Sequence, residues 1–178
     1  MVAIPVIINY PISKVLAQQK ETTKGPDFLD NSRLPEKGKI VSLDPGTKRV
    51  GVAICDETRT VVRPLERIQR TSWKKLLLSI KAIVAEYDAA ALVIGLPLES
   101  DGSESKMSRE ARRFAQNFAL SLELPVFLQD ERVTSYEAKS RLWEQGVDLE
   151  TTRLLVDSEA AVIILEDFLA SLLQKPAR

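Results

Sequence analysis

Apolar residues in this chain fall into short alternating runs first and into longer helical stripes afterwards. Ile40–Leu43 and Val50–Cys55 are β-branched and apolar, and both predict strands. Between them Asp44–Arg49 is polar, with Pro45–Gly46 supplying a tight turn. Val61–Ile68 predicts a third strand, which Pro64 assigns to a sheet edge. Ser72 can cap a helix to Tyr87, because Leu76, Leu77, Ile80, Ile83, Val84 and Tyr87 form one stripe. Ala91–Gly95 is continuously apolar, as a central strand is. Met107, Ala111, Phe114, Phe118 and Leu122 mark a second helix after the polar loop Pro97–Ser105. Pro125–Leu128 predicts a last strand, ending at Gln129–Arg132.

Ser135 can cap a further helix to about Gln145, stopped by Gly146. A final helix is expected over roughly Thr151–Leu173, burying Val156, Ala160, Ile163, Ile164, Phe168 and Leu172. The order β-β-β-α-β-α-β-α-α predicts an α/β fold with a mixed five-stranded sheet. Three strands joined by short turns are antiparallel. The next two, reached through helices, run parallel to the first, with helices on the sheet faces.

Upstream of Lys39 the pattern dissolves. Ser13–Gly38 is rich in Lys, Gln, Thr, Asp, Asn, Pro and Gly, which reads as a flexible extension over 1–38 ahead of a compact domain at 39–174. Val2–Ile8 is apolar and could add a strand, dock on a second copy to give a homodimer, or hang as a loose extension. It lacks preceding basic residues and contains Pro5, so a secretory signal is not expected.

Composition narrows the chemistry. With 25 basic and 25 acidic residues, no global field advertises a polyanionic partner, so any basic surface is local. No run approaches the ~20 apolar residues of a membrane span, so no membrane partner is expected. The single cysteine, Cys55, excludes an intramolecular disulfide and fits the reducing cytoplasm. The chain has no histidine, which removes Ser-His-Asp and Cys-His triads and, with one Cys, the usual zinc sites. Acid–base and ligand chemistry then falls to carboxylates, Lys, Tyr or metal-activated water.

Carboxylates stand at telling places. Asp44 ends the first strand, Asp130 and Glu131 end the last, and Asp157 lies early in the final helix before the small Ala160 and Ala161. C-terminal edges of parallel strands are where open α/β sheets bind ligands. Acids gathered there repel one another unless a cation neutralises them, and oxygen-only donors suit Mg²⁺ or Mn²⁺. Each also has a bland alternative: Asp44 an ordinary turn acid, Asp157 a residue complementing the helix dipole. Cations add a phosphate theme. Lys48 and Arg49 return from the first turn, while Lys106, Arg109 and Arg113 share one face of the second helix. Arg63, Arg67 and Arg70 cluster about the third strand, with Lys74 and Lys75 beyond. Such sets are also ordinary solvated faces.

Four segments together resemble the YqgF family, pre-16S rRNA nucleases related to Holliday-junction resolvases. They are LDPGTKRVGVAICD (Leu43–Asp56), VIGLPLESDGSES (Val93–Ser105), LQDERVTSYEA (Leu128–Ala138) and VDSEAAVIILEDFL (Val156–Leu169). The resemblance spans about Lys39–Leu172 and implies an RNase H-like fold, divalent-metal dependence and cleavage of nucleic-acid phosphodiesters. It further implies a part in maturing the 5′ end of precursor 16S ribosomal RNA. By resemblance Asp44, Asp130 and Asp157 are the catalytic acids, and with Glu131 they are the metal ligands. Gly46, Lys48, Arg49, Asp101, Arg132 and Thr134 match positions that would contact substrate, and Gly95, Pro97 and Gly102 shape the site. Glu159 departs from the pattern, since an apolar or basic residue is expected there.

Three functions remain open at this point. The first is a metal-dependent endonuclease for precursor ribosomal RNA or, as a resolvase, for branched DNA. The second is a non-cleaving nucleic-acid-binding factor of ribosome assembly. The third is an ATP-binding protein of the actin and sugar-kinase type, suggested by DPGT but lacking a second lobe.

Overall fold

The computed structural model describes residues 28–131 and 149–174, with side chains described at 28–131 and 158–173. Five strands and three helices make up this part. Strands β1 (Lys39–Pro45), β2 (Arg49–Cys55) and β3 (Val62–Gln69) lead into helix α1 (Trp73–Tyr87). Strand β4 (Ala89–Leu96), helix α2 (Lys106–Ser121), strand β5 (Val126–Asp130) and helix α3 (Leu149–Gln174) follow. The helix expected at Ser135–Gln145 lies outside the described residues.

The sheet order is β3-β2-β1-β4-β5. β1 pairs antiparallel with β2, β2 antiparallel with β3, β1 parallel with β4 and β4 parallel with β5. This is the expected mixed five-stranded sheet, three antiparallel strands and then two parallel ones. β3, which carries Pro64, forms an edge. There the missing N–H interrupts only one side of a ladder.

Alternation along the strands splits the core in two. Val41, Leu43, Val52, Ile94 and Leu128 pack with Leu76 and Ile80 of α1 and Phe114 and Phe118 of α2. Ile40, Ala91, Val93 and Phe127 face the other way, against Ile164, Leu165 and Phe168 of α3. Small residues bring α3 close, with Ala53 packed on Ala161 and Val162. Two buried hydroxyls then fix its register. Ser42 Oγ donates to the Ala161 carbonyl at 2.6 Å, and Ser158 Oγ to the Leu65 carbonyl at 3.0 Å. In a dry interface each such bond spares a polar group from burial without a partner.

The helices start where the sequence supplies caps. Ser72 accepts from Lys75 N at α1, and Ser105 and Ser108 form a reciprocal capping box at α2. Asp88 ends α1 in the left-handed region at φ 52°.

The packed unit begins ahead of Lys39. Phe28 is buried in the α1/α2-side core, and its carbonyl accepts from Leu128 N at 2.9 Å, adding to the outer edge of β5. Asp30 caps a short 3-10 turn at Asn31–Arg33, and Arg59 donates to the Gly38 carbonyl at 3.2 Å. Residues 1–27, including the apolar Val2–Ile8, lie outside the described residues.

Candidate active site

The same alternation decides which acids meet. Ser42 points to α3, so Asp44, two residues on, belongs to that face at the rim of β1. On β4, Val93 packs on the α3 side, which places Gly95 there. On β5, Phe127 packs against Phe168 at 5.5 Å between ring centroids, and two further steps of two reach Gln129 and Glu131. Leu128 packs on the opposite side, and Asp130 follows it. Glu131 is therefore the acid delivered to the α3 face beside Asp44, and Asp130 occupies the other side of the same strand end.

The surroundings of Glu131 confirm that placement. Its backbone N–H extends the β4–β5 ladder to the Leu96 carbonyl at 3.1 Å. Its side chain lies over Gly95: a Cβ at that glycine would come within 1.8 Å of Oε1 and 2.7 Å of Ile164 Cδ1. Gly95 thus provides the space in which the carboxylate rests. Glu131 is 9% exposed, and Oε1 is a buried oxygen with no hydrogen-bond partner among the described residues. Burial, and then the negative charges of Asp44 and Asp130, push its pKa up to about 8. An acid in this state calls for a proton or a cation.

A divalent ion fits the donor set. Asp44 and Glu131 offer only oxygen, and Oε1 has no hydrogen-bond partner among the described residues. Among the described residues no three acids form a ready-made ligand cluster. Asp157 is a helical residue of α3, one turn ahead of Ala161 and adjacent to the buried Ser158, and its side chain lies outside the described residues. Arg132 and Thr134 also lie outside them.

The turn after Asp44 is tight. Gly46 N–H donates to the Asp44 carbonyl at 2.9 Å, and a Cβ on Gly46 would meet the Arg49 carbonyl oxygen at 2.6 Å. Glycine is required there because the hairpin backbone folds back on itself. Arg70 clamps this turn: its backbone N–H donates to the Lys48 carbonyl at 2.9 Å and its Nη1 to the Gly46 carbonyl at 3.2 Å. Lys48 is exposed and Arg49 half-buried at the start of β2. Asp101 stands apart from the acids, exposed in the β4–α2 loop, where it accepts from Ser103 N at 2.8 Å. The Ser103 hydroxyl, and then that N–H bond, lower its pKa.

Sequence reasoning named Glu131 and Arg70 but missed Ser42, the side on which Glu131 lies and the contact that Arg70 makes. Ser42, a hydroxyl inside an apolar strand, was a readable signal that something polar crosses the interface. The parity of Glu131 relative to Phe127 was equally available. The clamp of Arg70 on Gly46 was not, because it joins residues 24 apart across a turn.

A family model, RuvX, described as Holliday junction resolvase, matches residues 38–171. A protein of Anaeromyxobacter sp. (strain Fw109-5), named "Putative pre-16S rRNA nuclease", is 40% identical over 131 residues, covering 74% of this chain and 96% of its own. A protein of the same name from Thiobacillus denitrificans is also 40% identical, covering 74% and 90%. One from Trichormus variabilis is 38% identical, covering 72% and 85%. Among solved structures, T. thermophilus RuvC in complex with a Holliday junction substrate aligns with a TM-score of 0.45 and 14% identity. That alignment covers 75% of this chain and 96% of RuvC. With the family model matching nearly the whole described fold and all four sequence motifs, this chain belongs to the RuvX family of Holliday-junction-resolvase type.

Proposed function

We propose that this protein is a divalent-metal-dependent endonuclease that cuts nucleic-acid phosphodiester bonds, acting in 5′-end processing of precursor 16S ribosomal RNA. The observation that carries this reading is the buried Oε1 of Glu131 above Gly95, without a hydrogen-bond partner among the described residues and under the negative charge of Asp44, in a chain of this family. The substrate follows the name borne by the relatives at about 40% identity.

Asp44 and Glu131 would hold the ion, Mg²⁺ or Mn²⁺, with Asp157 of α3 as a further candidate ligand and Asp130 setting the charge from the far side of the strand end. When bound, such an ion activates water and offsets charge developing on the scissile phosphate. The raised pKa of Glu131 favours a proton on its carboxyl near neutral pH in the metal-free protein, and a cation held there would compete with that proton. The Ser42–Ala161 bond keeps α3 at a fixed height over β1, which sets the distance from Asp157's backbone to the strand rim. Lys48 and Arg49, at the mouth of the turn, seat the strand through its phosphates. With no His in the chain, a shifted carboxylate or activated water is the base that this site supplies near neutral pH.

The family description favours a second substrate, branched DNA. The test is cleavage of a precursor 16S fragment and a four-way DNA junction in Mn²⁺, wild type against Asp44→Asn. Loss of cutting in the variant on one substrate assigns it. Equal rates in both proteins remove Asp44 from the mechanism.

A further inference from the structure

On the sheet face opposite the carboxylates, a pocket of about 460 Å³ opens between the start of α1 and the flank of α2. Its size falls in the range of roughly 300–1,000 Å³ that accepts one small ligand unit. Three cations border it: Lys106, Arg109 and Arg113, spaced three and four apart on one exposed stripe of α2. The acid in the wall, Glu110, is already committed to an ion pair with Arg70. The surplus charge is therefore positive.

The floor is aromatic. Trp73, half-buried, packs on Phe118 at 4.7 Å and on the edge of Phe114 at 5.8 Å, and both Trp73 and Phe114 line the pocket. The Arg70 guanidinium lies 4.5 Å above the Phe114 ring. The pocket does not end there. A smaller hollow of about 310 Å³ shares Arg70, Trp73 and Glu110 with it and runs on to Thr47, three residues beyond Asp44. Charge, aromatic floor and hollow form one track leading from α2 to the turn that follows the first catalytic acid.

Resting on the nuclease reading above, we infer that this track seats a single-stranded segment of the substrate flanking the bond to be cut. The phosphates lie on Lys106, Arg109 and Arg113, and one base lies against Trp73. Concave cationic surface over an aromatic floor is the combination that holds unpaired nucleotides, whose base faces are free to stack. A duplex offers phosphates but keeps its bases stacked on one another.

The experiment is anisotropy binding of a labelled single-stranded RNA by the full chain in EDTA, across a salt series, with blunt duplex RNA as the second probe. Lys106, Arg109 and Arg113 are exposed, so changing all three to Gln spares the core. The triple variant should bind the single strand at least ten-fold more weakly, with the slope against log salt shallower by about 2. Trp73→Phe should weaken the single strand more than the duplex. Unchanged single-strand affinity and slope overturn the inference, and so does an equal loss on blunt duplex or on an acidic peptide competitor. Because binding is read without metal, single-strand binding in a protein that fails to cut in Mn²⁺ sinks the nuclease reading alone. Cutting that survives the triple substitution with an unaltered KM sinks the track alone.

Discussion

The two faces of one strand end carry opposite chemistry. Toward α3, the ends of β1, β4 and β5 present Asp44, the open space of Gly95 and the carboxylate of Glu131. Toward α1 and α2, the same rim leads to Arg70, Trp73 and the basic stripe of α2. A net charge of zero conceals this division, because acids and bases cancel in the sum while the sheet keeps them apart. Strand parity does the sorting. A residue shifted by one position changes sides, which gives adjacent acids such as Asp130 and Glu131 different tasks.

That distinction yields the largest expected effect. Glu131→Gln should reduce cleavage in Mn²⁺ on the order of 10³-fold if Glu131 is the metal ligand proposed above, since losing it would forfeit several kcal/mol of charge stabilisation. Asp130→Asn should cost far less, because its side of the strand end faces away from Asp44. Steady-state cleavage by the two variants is the measurement. A heavier loss in Asp130→Asn than in Glu131→Gln would reverse the assignment of the inner acid.

Next in size is Gly95→Ala. The new methyl would occupy the place of Glu131 Oε1 and press on Ile164 Cδ1. Both are ends of side chains, so the fold can yield at a cost of about 1–3 kcal/mol. The carboxylate cannot yield without leaving its position, and a displacement of about 1 Å in a reacting site can cost about 100-fold. Activity should therefore fall much further than thermal stability. A variant with a depressed Tm and near-normal cutting would show that Gly95 serves packing alone.

Most of the fold was legible because its signals are local. Ile40–Leu43 and Val50–Cys55 alternate around a Pro-Gly turn, and the α1 and α2 stripes name their own buried faces. Pro64 identified an edge strand, and β3 is one. The last strand ends at Asp130, within the Gln129–Arg132 stretch where the sequence places its end, because the ladder to β4 continues through the polar Gln129 and Asp130. In α3 the burial is broader than one stripe, with every residue from Ala161 to Leu165 buried, because small side chains let the helix sink onto β1 and β2. The site was legible as a set of acids and not as a geometry. The resemblance puts Asp130 first and Glu131 beside it as a metal ligand, and the register of Phe127 against α3, with the space above Gly95, sets Glu131 on the side of Asp44.

The smallest effect sharpens the same contrast through pH. Glu131 titrates at about 8 in the fold, against an ordinary 4.5 for an exposed glutamate. Between those values the folded, metal-free protein binds a proton that the unfolded chain has released. Stability contributed by the protonated carboxyl is complete below about pH 4.5 and is lost as pH rises towards about 8. In EDTA the unfolding free energy should accordingly fall by a few kcal/mol at most from pH 5 to pH 8. Glu131→Gln, neutral throughout, should flatten that part of the curve and be the more stable protein at pH 8. Asp130→Asn should retain most of the slope, because burial and Asp44 both still act on Glu131. Urea melts across this pH range measure the difference. Parallel curves for wild type and Glu131→Gln would mean that the carboxylate is solvated, and that the rim of β5 does not hold a charge waiting for a cation.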